Sequence, residues 1–170
     1  LVDKIKRVAL ANFHKSKWGE VLILKLYLKS EELAASNGYF SLDEILAHSP
    51  EWLQVEMRRH EKEEQGHVRA LENRISNMAA AERDIPLYFF SNSKIKKFHL
   101  LAKEYENKFE VGLIVPALVV GLILENLGVR IFKRHIRVLQ EIDGKSPTYL
   151  LLASLIKDEK RHMQGFLKSL

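Results

Sequence analysis

The chain has 170 residues, 46% hydrophobic and 29% charged, which suits a single globular domain with a sizeable core over residues 1–170. It has no cysteine, which excludes disulfides, zinc ribbons and iron–sulfur clusters; any metal site must use carboxylates and imidazoles, donors that favour iron or manganese with zinc as a competitor. The net charge of +5 is compatible with nucleic acid or an anionic surface, but the basic residues are spread along the chain, so nucleic acid is not the expected partner.

Proline and glycine are few, and helical spacing runs through long stretches. A first helix is expected from about Val2 to Ser36, stopped by Asn37-Gly38. A short segment capped by Ser41 follows. The second helix opens at Ser49-Pro50, a cap with proline in the first turn, and runs to about Ala81. Residues 82–93 read as a loop, broken by Pro86 and Ser91-Asn92-Ser93, and Lys94 to Glu110 reads as helical. The third long helix covers about Glu106 to Ile142, bent near Pro116, and Asp143-Gly144 ends it. The fourth starts at Ser146-Pro147 and continues to the end. Two antiparallel helix hairpins joined by a long crossover describe an all-α, ferritin-like four-helix bundle. A cysteine-free chain also fits the cytoplasm. Leu87-Tyr88-Phe89-Phe90, beside Lys94, Lys96 and Lys97, is a candidate for peripheral membrane contact, with a loop packed on the bundle or in a homodimer interface as the favoured alternative.

One Glu-x-x-His is a weak signal, but this chain has two, Glu64/His67 and Glu159/His162. Both lie on apolar stripes: Leu53, Met57, His60, Glu64, His67, Leu71, Ile75 and Met78 in the second helix, and Leu152, Leu155, Glu159, His162 and Phe166 in the fourth. Residues three apart share a face, so each pair can reach one ion. The third helix has no charge from Val111 to Leu124, and then Glu125. A carboxylate in such a run costs several kcal/mol unless paired, and a cation would pair it.

The first helix offers Glu20 and Glu31 on one stripe with Leu24 and Tyr27. Counted back from Asn37, Glu31 would lie roughly 16 Å nearer the hairpin end than Glu20 at 1.5 Å per residue. Glu20 matches the depth of the other acids and is the expected ligand. The expected set is therefore Glu20, Glu64, His67, Glu125, Glu159 and His162 around two ions, with the two motif glutamates bridging. The four carboxylates are also the groups expected to carry catalysis. His60 is expected to support the site from behind, Glu63 and Asp158 are candidates to orient the histidines, and Tyr27 is expected as a core aromatic.

These residues resemble the ferritin-like superfamily, and within it the demethoxyubiquinone hydroxylase family. Gly19-Glu20-Val21 followed by Leu26-Tyr27 is similar to that family's first-helix motif, and His135-Ile136-Arg137-Val138-Leu139 to the end of its third helix. Ser16-Lys17-Trp18 departs from the family's Asn-His-Ala. The resemblance implies a di-iron monooxygenase that takes dioxygen, an external electron donor and an aromatic or quinone-like substrate. The alternatives are an iron-oxidising or peroxide-removing protein like ferritins and rubrerythrins, a hydroxylase of modified tRNA, and a helical interaction protein without metal.

Overall fold

The computed structural model describes residues 2–35, 46–47, 49–78 and 114–170. Among these the chain is an all-helical bundle: α1 (Val2–Phe13), α2 (Lys17–Ala35), α3 (Glu51–Ser76), α4 (Ile114–Asp143) and α5 (Pro147–Ser169). The expected stop at Asn37-Gly38, the Ser41 cap, the 82–93 loop, the 94–110 helix and the 87–97 surface segment lie outside the described residues.

The single first helix expected over 2–36 is two helices. Ser16 makes the break: its hydroxyl accepts from the Gly19 amide at 3.1 Å, and its carbonyl accepts from Glu20 at 3.1 Å, a new helix start. Gly19 allows it sterically, because a Cβ there would collide with the Phe13 carbonyl oxygen. Two other boundaries shift. At α3, Pro50 occupies the cap position, one residue after the expected Ser49, and the helix ends at Ser76, where the Asn77 amide folds back onto the carbonyls of Asn73 and Ile75. At α5, Ser146 caps as expected, accepting from the Tyr149 amide at 3.2 Å.

α2 packs on α3 and α4 on α5; α3 against α5 joins the two pairs, and α1 lies on α4 and α2. The buried side chains form two apolar clusters. One holds Val21, Leu24, Leu71, Ile75, Phe132, Leu139, Leu152 and Leu155, the other Leu46, Leu53, Met57, Leu118 and Phe166. Along α3, α4 and α5 the second cluster lies on one side of residues 60–67, 125 and 159–162, and the first on the other. The buried glutamates and histidines therefore form a polar layer between two apolar ones.

α4 is long and apolar enough to cross a membrane by length and composition. Its apolar run is core only in part. Leu118 is buried, but Val115, Val119, Ile123, Leu124 and Leu127 are exposed, because α5 covers one side of this helix and the run continues around to the other.

Candidate metal centre

Seven acidic and imidazole side chains from four helices meet in the polar layer. Two groups of donor atoms lie mutually within 4.8 Å: His60, Glu64, Glu125 and His162 in one, and Glu31, Glu64, His67 and Glu159 in the other. All but His60 are buried, and Glu64 belongs to both groups. Each group could hold a metal ion. The set contains four carboxylates, whose combined charge offsets that of two divalent cations.

The rings are aimed by acids from the facing helix. His162 of α5 presents Nδ1 to Glu64 at 3.0 Å and turns Nε2 outward to Glu63 of α3 at 2.8 Å. His67 of α3 presents Nδ1 to Glu31 at 3.1 Å and Glu159 at 3.2 Å, and turns Nε2 to Asp158 of α5 at 3.4 Å. The arrangement is reciprocal: the acid before each motif glutamate holds the histidine of the other motif. Arg161 joins the two outer acids, at 2.7 Å from Asp158 and 3.0 Å from Glu63. A ring that donates from Nε2 to a carboxylate keeps its Nδ1 lone pair for a cation. The orienting role expected for Glu63 and Asp158 matches this geometry.

The electrostatics follow from crowding four acids. Burial opposes charge on His162, but its contacts with Glu125 and Glu64 outweigh burial and hold its pKa up at about 10. His67 is raised further, against its own burial, by Glu159, Glu31 and Glu64. Burial pushes Glu159 up to about 7 and Glu31 well above the carboxylate range. Glu64 and Glu125 are also penalised by burial, but the histidines around them hold both low.

The donors fit a cation better than they fit one another. Glu64 Oε1, Glu125 Oε2, Glu159 Oε1 and His162 Nδ1 are buried and make no hydrogen bond of acceptable geometry. His162 Nδ1 and Glu64 Oε1 nevertheless lie only 3.0 Å apart. The short distance reflects convergence on a common point; the angles do not make it a hydrogen bond. Orphaned buried atoms of this kind are rare in folded proteins and carry a cost of about 1–3 kcal/mol each.

Cation binding must displace the protons on His67 and His162. Raising the pH from about 7 toward the His162 value near 10 removes that competition, so affinity rises with pH. We expect the apparent zinc affinity to increase roughly tenfold per pH unit for each proton released. A competition titration with a chromophoric chelator measures this; a flat profile would show that the histidines are not displaced donors.

Glu64, His67, Glu125, Glu159 and His162 are brought together as the sequence predicts. Glu20 is not. Its carboxylate accepts from Arg74 at 2.7 Å and from the Thr148 hydroxyl, and Glu31 stands in the cluster in its place. Depth counted from Asn37 takes the two helices to start level at the connection, but α2 ends at Ala35 and α3 begins only at Glu51, and the pairs Glu20–Arg74 and Glu31–His67 show how the two helices are offset. His60 is also closer than expected, with Nε2 2.9 Å from Glu125 and 3.5 Å from Glu64, so it stands among the donors. Its position four residues before Glu64 on the same stripe was the signal. Glu159 falls in one donor group, so among the described residues only Glu64 belongs to both.

Gly128 gives α4 its close approach to this layer, since a Cβ there would meet Glu159 Oε2 at 2.8 Å. Gly128→Ala is expected to push that carboxylate aside and weaken one ion roughly tenfold or more, without unfolding the helix, since alanine is the better helix former. Isothermal titration of zinc into the variant tests this; two unweakened sites would refute it.

No protein-family model, curated protein or solved structure matches this chain.

Proposed function

We propose that this chain is a ferritin-like four-helix protein that holds two iron ions and uses them to activate dioxygen, hydroxylating an apolar aromatic substrate. The observation that carries the reading is a single buried glutamate, Glu64, shared by two donor groups that together supply four carboxylates and three imidazoles. One Glu from each of two helices, with Glu-x-x-His from each of two others, is the pattern of di-iron and di-manganese carboxylate bundles. Here the lone glutamates are Glu31 and Glu125.

Iron, when bound, would supply the redox chemistry for dioxygen, with the electrons replaced from outside the chain. The chain's own residues do the rest. Glu64 would serve both ions, Glu63 and Asp158 fix the two motif rings, and the apolar layers above and below keep water out. A quinone-like or prenylated aromatic substrate is the one that the first-helix and third-helix resemblance implies, and the apolar layers on both sides of the donors suit such a substrate better than a polar one. The electron donor is external. Iron oxidation or peroxide removal is the second reading, supported by the same donor set.

Elemental analysis of protein purified without chelator, with an optical spectrum after iron loading, is the test. Two irons per chain with oxo-bridge absorption are expected, followed by turnover of a quinol analogue. Iron at that ratio without any turnover would favour the second reading. Failure to take up any metal would overturn both.

A further inference from the structure

α1 is amphipathic, but it turns its apolar side away from the bundle. No side chain of α1 is buried. Polar contacts dock it. Asp3 accepts from Arg134 Nε at 2.5 Å, Arg7 pairs with Glu141, and just past the helix end His14 Nε2 lies 2.5 Å from His135 Nε2. His135 Nδ1 in turn lies 2.9 Å from the Tyr27 hydroxyl, so a hydrogen-bonded chain of three side chains ties the end of α1 to α4 and α2. Asp3, Arg7, Leu10 and His14 recur at the spacing of one helix side. At 3.6 residues per turn, Val2, Ile5, Val8, Ala9 and Phe13 fall on the opposite side, within an arc of roughly 140° whose one polar member is Asn12. Val2, Ile5 and Val8 are 64%, 60% and 53% exposed. A surface helix of a globular protein ordinarily packs that side inward.

The charge around the arc has one sign. Lys4 borders it on one edge and Lys6 on the other, and Lys15, Lys17 and Trp18 follow at the junction with α2, all of them exposed. The one acid in residues 2–18, Asp3, lies on the docked side against Arg134. An apolar helix side edged by lysines, with an aromatic ring at its end, suits a lipid–water boundary, where the lysine stems lie along apolar surface and the ammonium groups reach the headgroups. A protein groove would have to place acids along both rims of the arc, whereas anionic headgroups supply negative charge on every side. We propose that α1 seats the bundle on an anionic lipid surface, with Val2, Ile5, Val8 and Phe13 at the headgroup boundary and the lysines on the headgroups. Ion pairs rather than apolar packing hold α1 to α4, so its apolar side is available without unpacking the bundle. Leu127 and Ile123, seven and eleven positions before Arg134 on the same side of α4, are also exposed, so apolar surface continues beside the docked helix.

Flotation of the full chain with vesicles of equal parts phosphatidylcholine and phosphatidylserine tests this, with vesicles of phosphatidylcholine alone as the comparison. The chain is expected to float with the anionic vesicles, to stay behind with the neutral ones, and to come off as salt is raised. In a Trp52→Phe background Trp18 is the sole tryptophan, and its emission should shift to the blue on binding. Ile5→Asp, at an exposed position, should weaken binding roughly tenfold or more while circular dichroism shows the helices intact. Lys4→Gln combined with Lys6→Gln should weaken it by a similar factor. No flotation, equal flotation with neutral vesicles, or flotation that either variant leaves undiminished would overturn the proposal. Self-association without lipid that Ile5→Asp abolishes would also overturn it, since the arc would then cover a second copy of the chain. Zinc uptake measured on the same variants should be unchanged, so the lipid surface and the metal centre can each fail alone.

Discussion

Replacing Glu64 with alanine is expected to abolish binding of both ions, whereas replacing Glu125 or Glu159 should remove one. The difference follows from geometry. Glu125 belongs to the donor group with His60 and His162, Glu159 to the group with Glu31 and His67, and Glu64 to both. Glu64 is almost fully buried, with its Oε1 3.0 Å from His162, 3.5 Å from His60 and 3.7 Å from His67. Its loss takes from each group a carboxylate that helps neutralise the ion, and leaves three imidazoles with less counter-charge. The raised pKa of His162, held at about 10 partly by Glu64, should fall with it. Elemental analysis after zinc or iron(II) loading reads the stoichiometry, and circular dichroism confirms that the helices persist. Two ions retained by Glu64→Ala would refute the shared-ligand geometry. One ion retained would show that Glu64 serves a single site.

How far the sequence could be read differs from helix to helix, for physical reasons. On α3 and α5 the buried positions coincide with the apolar stripes, because a regular helix of 3.6 residues per turn carries its face through Glu64, His67, Glu159 and His162 without interruption. Glu125 was legible because an acid at the end of a long uncharged run has no local partner, so its burial requires a charge brought from another helix. The first helix misled twice. Its amphipathic pattern runs through His14–Ser16, so the break that Ser16 and Gly19 create is a matter of tertiary crowding against Phe13, which periodicity does not report. The choice of Glu20 depended on how far α3 is offset along α2, which the pairs Glu20–Arg74 and Glu31–His67 set and no pattern within one helix reports. Glu20 also has its own partners in Arg74 and Thr148, one on α3 and one on α5, which no local pattern links to it. The Tyr27–His135–His14 chain was illegible for the same reason, since its members are 108 and 121 positions apart in sequence.

Glu20 and Glu31 now make the sharpest comparison the chain offers, because either alone could have been the ligand by composition and stripe. Glu31→Ala is expected to reduce bound metal from two ions to one. It should also leave the chelated protein as stable or more so, since burial and the acids around it already push the Glu31 carboxyl well above the usual range. Glu20→Ala should behave in the opposite way. Both ions should remain, but Arg74, which is largely buried, loses its carboxylate, and the Thr148 hydroxyl, fully buried at the start of α5, loses its acceptor. A charged hydrogen bond of this kind contributes about 1.5–3 kcal/mol. At about 2–4 °C per kcal/mol for a domain of this size, the melting temperature should fall by several degrees. Metal analysis and thermal melts on the two variants in parallel separate the roles. Loss of an ion from Glu20→Ala with none lost from Glu31→Ala would reverse the assignment, slide α2 by three turns against α3, and restore the first-helix motif on which the hydroxylase resemblance rests.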